Sequence, residues 1–273
     1  MPGLEQLLIF ALFGILSGLI GGFLGVGGGT IYVPVLTAWF IGHAYLGAPF
    51  VTFIIGNSLF LTMLSGLSGS LKQWRLGNFH KQDTLLVGGT GAITALSTSI
   101  LISYASWYDK STFALVFTLM LVPLMLRMFL KRSVSEMQPF NPADRPKLVL
   151  VGALSGVVSA LTGLGGGVIM VPLLVDMLNY PLKKAASVSL ASIVLMAMAT
   201  VSWYALQFDS PQLSPWQVGM LALPAVVPMG IGVLLSAPWG VRLSVLVPPF
   251  YTKLFFFLFF ILVILQMHFQ ILG

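Results

Sequence analysis

Apolar residues fall into ten runs along the chain, separated by short polar or glycine-rich breaks. Five lie near residues 5–24, 30–41, 51–71, 84–105 and 111–130, and five more near 148–162, 168–178, 185–207, 215–238 and 248–271. None shows the long alternation of a strand, and backbone groups in lipid must pair within their own segment unless a barrel closes. The runs are therefore read as helices. Most approach the roughly 20 apolar residues that cross a bilayer core. The second and seventh do not, since at about 1.5 Å per residue they cover only half to two-thirds of that core. Each is expected to form a hairpin with the run before it, broken at glycines, spanning fully or re-entrant, and entering and leaving on one side. Three full crossings follow in each half. The predicted fold is an all-α polytopic membrane protein with 8–10 membrane segments.

The two halves are copies. Residues 14–36 laid on 152–174 agree at 12 of 23 positions, under a single offset of 138. The shared core reads Gly25-Val26-Gly27-Gly28-Gly29-Thr30-Ile31-Tyr32-Val33-Pro34 in the first half. In the second it reads Gly163-Leu164-Gly165-Gly166-Gly167-Val168-Ile169-Met170-Val171-Pro172. One duplicated unit built of helices accounts for both. The division is a first membrane repeat at 1–130, a linker at 131–147 and a second membrane repeat at 148–273.

Charge orients the halves. Only 7% of residues are charged and 58% are hydrophobic, yet the net charge is +6. With the linker cytoplasmic and three crossings after each hairpin, twelve of the 13 basic residues fall on the linker side and only Lys110 does not. That is the arrangement the positive-inside rule demands. Both termini then lie on the opposite side. An odd number of net crossings per half also inverts one copy relative to the other, an architecture in which transporters hold substrate near the midplane. The basic surplus is thus spent on topology and the lipid surface, and no nucleic-acid partner is expected. The opening residues lack the basic head and cleavage site of a signal peptide, so the first run is expected to remain in the mature protein.

Three consecutive glycines in a helix cost about 1 kcal/mol each relative to alanine. Gly27, Gly28 and Gly29, like Gly165, Gly166 and Gly167, therefore predict non-helical breaks. A break followed by a helix start offers free amides and a positive dipole end to an anion. The plainer reading is that glycines let helices approach closely, and it is preferred for the stripe Gly14, Gly18, Gly22 and its match Gly152, Gly156, Ala160. Thr30 could add a donor to the first break. Asn57 and Ser58, with Ser187 and Ser189 in the second copy, offer uncharged donors at the start of the third segments; their alternative role is helix-to-helix hydrogen bonding. No carboxylate is placed at mid-depth, which speaks against a cation substrate. His43, His80 and His268 are scattered and there is no cysteine, so no metal site or cofactor is expected. Valine at Gly28 or Gly166 is expected to abolish activity while leaving the protein folded.

The two glycine motifs, with Gly56-Asn57-Ser58-Leu59 and Ala185-Ala186-Ser187-Val188-Ser189-Leu190 after them, resemble the sulfite exporter TauE/SafE family, also called the toluene-sulfonate uptake permease family. The likeness extends over nearly the whole chain. It implies a multi-pass carrier of the inner membrane that moves small sulfur-containing anions such as sulfite or sulfoacetate, commonly outward. From the residues alone, a passive anion channel is the alternative, and a homodimer is an allowed assembly. A membrane enzyme would need paired carboxylates or a histidine cluster, which the pattern does not supply.

Overall fold

The computed structural model describes residues 3–42, 50–105, 144–211 and 216–248, most of 107–122, and scattered positions between 251 and 265. Half of the fifth run, most of the tenth, His43, His268 and the linker up to residue 143 lie outside the described residues. The helices are α1 Leu4–Leu24, α2 Gly29–Gly42, α3 Phe50–Arg75, α4 Lys81–Ser103, α5 Arg145–Thr162, α6 Gly167–Leu178, α7 Leu182–Ala205 and α8 Leu223–Leu246. Among the described residues, α1, α3, α4, α5, α7 and α8 are long and apolar enough to cross a membrane. The chain is an all-helical polytopic membrane protein.

Two boundaries differ from the sequence reading. Helix α5 begins at Arg145, inside the span assigned to the linker, with Pro146 in its first turn. Proline is tolerated there because the missing N–H would have no helical partner. The run assigned to 215–238 starts as a helix only at Leu223, because β1 (Gln217–Val218) and β2 (Leu221–Ala222) pair antiparallel just before it. Gly219 turns that hairpin with φ +54°.

Packing follows the small residues. A Cβ placed on Gly14 would overlap Met229, one on Gly18 would overlap Ser236, and one on Gly22 would overlap Ala237. Helix α1 therefore lies directly on α8, and the rising register shows that the two run the same way. The opposite face of α1 carries exposed Leu8, Leu12 and Leu16, as a lipid-facing surface should. The stripe on α5 repeats this arrangement against α4, with Gly152 on Val87 and Thr90, and Gly156 on Gly91 and Thr94. Here too the register rises together. Gly18→Leu should cost about 1–3 kcal/mol through overpacking, read as a lower melting midpoint in detergent, whereas Leu12→Ala on the lipid face should leave that midpoint close to wild type.

The central pair runs the other way. On α3, Gly56 meets Tyr204 of α7, while Gly66 and Gly69 meet Leu190. Helix α3 is parallel to α8, since Ser68 Oγ donates to Leu234 O, 2.9 Å, and Gly230 packs on Leu64. Helix α4 is parallel to α7, with Gly88 on Ser192 and Gly91 on Met196. Helices α1, α3 and α8 thus point one way, and α4, α5 and α7 the other. These directions carry Lys72, Arg75, Lys81, Arg145, Lys147, Lys183, Lys184 and Arg242 to one end of the bundle.

Candidate functional site

Both glycine tracts are breaks of the same shape. Gly25, Gly27 and Gly28 have φ of +73°, +82° and +80°, and their counterparts Gly163, Gly165 and Gly166 have +71°, +77° and +74°. L-residues with a side chain pay roughly 1–2 kcal/mol for this left-handed region, so glycine is the residue that fits. The bends reverse the chain, and a new helix starts at Gly29 and at Gly167. Among the described residues no acceptor pairs with the amides of Gly28, Gly165 or Gly166. The leading amides of α2 and α6 have no partner within their own helices.

The turns meet each other midway along the central helices. A Cβ on Gly29 would stand 2.6 Å from Leu164 Cα, and one on Gly167 would stand 2.8 Å from Val26 Cα. Thr62 of α3 and Ile193 of α7 touch both Gly27 and Gly165. Each lies near the middle of its helix, hence near mid-depth. The hydroxyls of Thr30, Thr62 and Ser189 are buried here without a hydrogen-bond partner among the described residues. Free amides from two turns and three buried hydroxyls thus converge in one region. The two turns pack directly on each other at Gly29 against Leu164 and at Gly167 against Val26.

The predicted side-chain donors divide. Ser189 and Thr30 lie at the meeting of the turns. Ser58 Oγ donates to Gly163 O at 2.7 Å and so braces the second turn from α3. Asn57 is fully engaged elsewhere: Nδ2 donates to Phe53 O at 2.7 Å and Met220 O at 2.9 Å, and Oδ1 accepts from the Ala222 amide at 2.7 Å. It ties α3 to the hairpin that begins α8. Asn57→Leu should orphan the Ala222 amide and the Met220 carbonyl, at about 1–3 kcal/mol for each buried group. An unchanged melting midpoint would contradict that assignment. Ser187 Oγ donates to Asn78 O in the loop before α4, away from the turns.

Sequence reasoning missed Thr62, because its counterpart in the second copy is Ile193 and comparison of the copies passes over it. It also missed a buried ion pair at the basic end. Lys184 Nζ lies 3.0 Å from Asp83 Oδ2, with both side chains 3% exposed. Tyr180 Oη donates to the same oxygen at 2.9 Å, and the Lys184 ammonium stands 3.7 Å over the Tyr180 ring. Asp83 is buried because the first turns of α4 and α7 pack side by side.

Known proteins give the same picture of the chain. A family model described as Sulfite exporter TauE/SafE matches residues 10–267. A protein of Methanocaldococcus jannaschii named "Probable membrane transporter protein" is 23% identical over 242 residues, covering 88% of this chain and 87% of that one. One with the same description from Haemophilus influenzae is 25% identical over 263 residues, covering 96% and 97%. YdhB of Bacillus subtilis, also described as a probable membrane transporter protein, is 26% identical over 195 residues, covering 71% and 76%. The family match takes in both glycine turns and reaches all six long helices, so the chain is a membrane transporter belonging to the Sulfite exporter TauE/SafE family.

Proposed function

We propose that this transporter carries a small sulfur-containing anion, such as sulfite or an organosulfonate, outward across the inner membrane by alternating access. The observation that carries the reading is the meeting of the two glycine turns. They come from halves whose matching helices run in opposite directions, and they bring unpaired amides together midway through the bundle. Opposed helix directions of this kind belong to inverted-repeat carriers, whose two halves rock about a midplane site. In the present conformation the two turns touch. The Gly27 amide already donates to Gly21 O at 3.4 Å, so parting of the turns opens a space lined by the amides of Gly28, Gly29 and Gly165 to Gly167, with the hydroxyls of Thr30, Thr62 and Ser189 at its edge. Each hydrogen bond to an anionic oxygen contributes about 1.5–3 kcal/mol. No basic side chain is needed at the centre, and a neutral lining lets the anion leave again.

Two measurements test this. In proteoliposomes, labelled sulfite uptake should saturate and should accelerate when unlabelled sulfite is loaded on the other side. Ohmic conductance in planar bilayers without such counterflow would replace the carrier with a channel. A melting screen of sulfite, sulfoacetate, thiosulfate, taurine and sulfate should identify the preferred anion, since a ligand at 100 times its Kd stabilises the native state by about 2.7 kcal/mol.

A further inference from the structure

Eight positive side chains gather at the basic end of the bundle, and among the described ones only Lys184 is buried, at 2% exposure. It is the third residue of α7, and Asp83 is the third residue of α4. The two helices are parallel, so both positive dipole ends converge on this point together with the ammonium. One carboxylate offsets them, and it is only half engaged. Asp83 Oδ2 takes both Lys184 and Tyr180, while Oδ1 is buried with no partner, as is the hydroxyl of the adjacent Thr84. Take away the carboxylate's charge and what remains is a buried cation flanked by two helix N-termini and neutral donors, which is the chemistry of an anion site.

The position suits such a role. Ser189, at the glycine turns, lies five residues beyond Lys184 on the same helix, about 7.5 Å along its axis. Ala186, between them, packs against the bend at Gly25. An anion coming from the basic end meets Lys184 just before the glycine centre. Resting on the transport reading above, we infer that Lys184 is a second anion-binding position, which becomes available when Asp83 takes up a proton, so that anion movement is coupled to proton movement. The incoming anion replaces the carboxylate beside the ammonium, and the proton from solution neutralises Asp83. One proton and one negative charge of the anion thus enter the site together. The other titratable and charged groups around it are His80 before α4, Lys81 beside it, Asp144 at the start of α5 with its partner Lys147, Tyr180, and exposed Lys183. Burial together with Lys184 holds the His80 imidazole below the ordinary histidine range, so it adds little positive charge near neutrality. Burial beside Asp83 pushes the Tyr180 phenol up, keeping it a donor throughout.

Isothermal titration of the purified protein with thiosulfate, which stays a dianion from pH 5.5 to 8, tests this when run in buffers of different ionisation enthalpy. The wild type should take up close to one proton per anion bound, and its affinity should fall as the pH rises. Asp83→Asn should bind at least as tightly, with proton uptake near zero and a flat pH profile. Lys184→Met should lose at least tenfold in affinity. Should that variant not fold, the neutral double variant Asp83→Asn/Lys184→Met provides the same reading with no buried charge left alone. Binding and proton uptake unchanged in these variants would overturn the inference while leaving the transport reading in place. A wild type that binds none of the sulfur anions of the melting screen would overturn both.

Discussion

Replacing Gly28 by valine is expected to abolish anion flux and to destabilise the protein by roughly 2–5 kcal/mol, with Gly166→Val behaving alike. The figure combines about 1–2 kcal/mol for forcing a β-branched residue into the left-handed region with about 1–3 kcal/mol for overpacking. Both terms come from geometry. Gly28 has φ +80° and a Cβ there would lie 2.7 Å from Ser17 O; Gly166 has φ +74° and a Cβ would lie 2.5 Å from Ser155 O. Each carbonyl is backbone, and neither can swing aside. The sequence reading expected these variants to stay folded, and the seating of the bends predicts that they do so with a lowered melting midpoint. Thr62→Val is the better probe of function alone, because it removes the buried hydroxyl at nearly constant volume. It should weaken anion affinity with little change in the melting midpoint. Proteoliposome flux and detergent melts of the three variants separate the two effects. Full flux in Gly28→Val and Gly166→Val would remove the turns from the transport path.

Asp83→Leu should be as damaging, for an electrostatic reason. It strands the Lys184 ammonium in a site where its side chain is 3% exposed. Breaking a buried pair from one side costs about 3–5 kcal/mol, because the remaining charge is neither solvated nor matched. Replacing both partners by apolar residues is often neutral or stabilising, so Asp83→Leu/Lys184→Met should melt close to the wild type. That rescue distinguishes an ion pair from general crowding at the helix ends: crowding would leave the double variant as unstable as the single one. If the account of anion binding holds, the rescued protein should nonetheless fail to transport.

Much of the architecture was legible because membrane folds are written in composition and spacing. Six long helices follow from apolar runs of spanning length. The stripes of glycine four residues apart marked packing faces on α1 and α5, because only small residues let backbones approach closely, but their partners α8 and α4 came from the structure. The tripled glycines marked both breaks. What stayed hidden depends on neighbours distant in sequence. Hydropathy could not separate Gln217–Ala222 from the helix that follows, since Val218, Met220, Leu221 and Ala222 continue an apolar run while pairing as a hairpin held by Asn57. Asn57 read equally as an anion donor or as a partner between segments, and it is the second, committed to that hairpin. Asp83 and Lys184 pair because the first turns of α4 and α7 bury each other, and no local pattern says that two first turns will do so. The convergence of the two glycine turns is likewise tertiary, as each half supplies one wall.

The most direct measurement is made on the glycine amides themselves. Protein labelled with nitrogen-15 at glycine, purified in detergent, is titrated with the sulfur anion that raises its melting midpoint most, and the amide resonances of Gly28, Gly29, Gly166 and Gly167 are followed. The account predicts that these resonances shift downfield as the anion accepts their hydrogens, saturating at the same concentration as the melting shift, while glycines of the α1–α8 stripe such as Gly18 stay in place. Saturable binding that leaves all four turn resonances unmoved would contradict it.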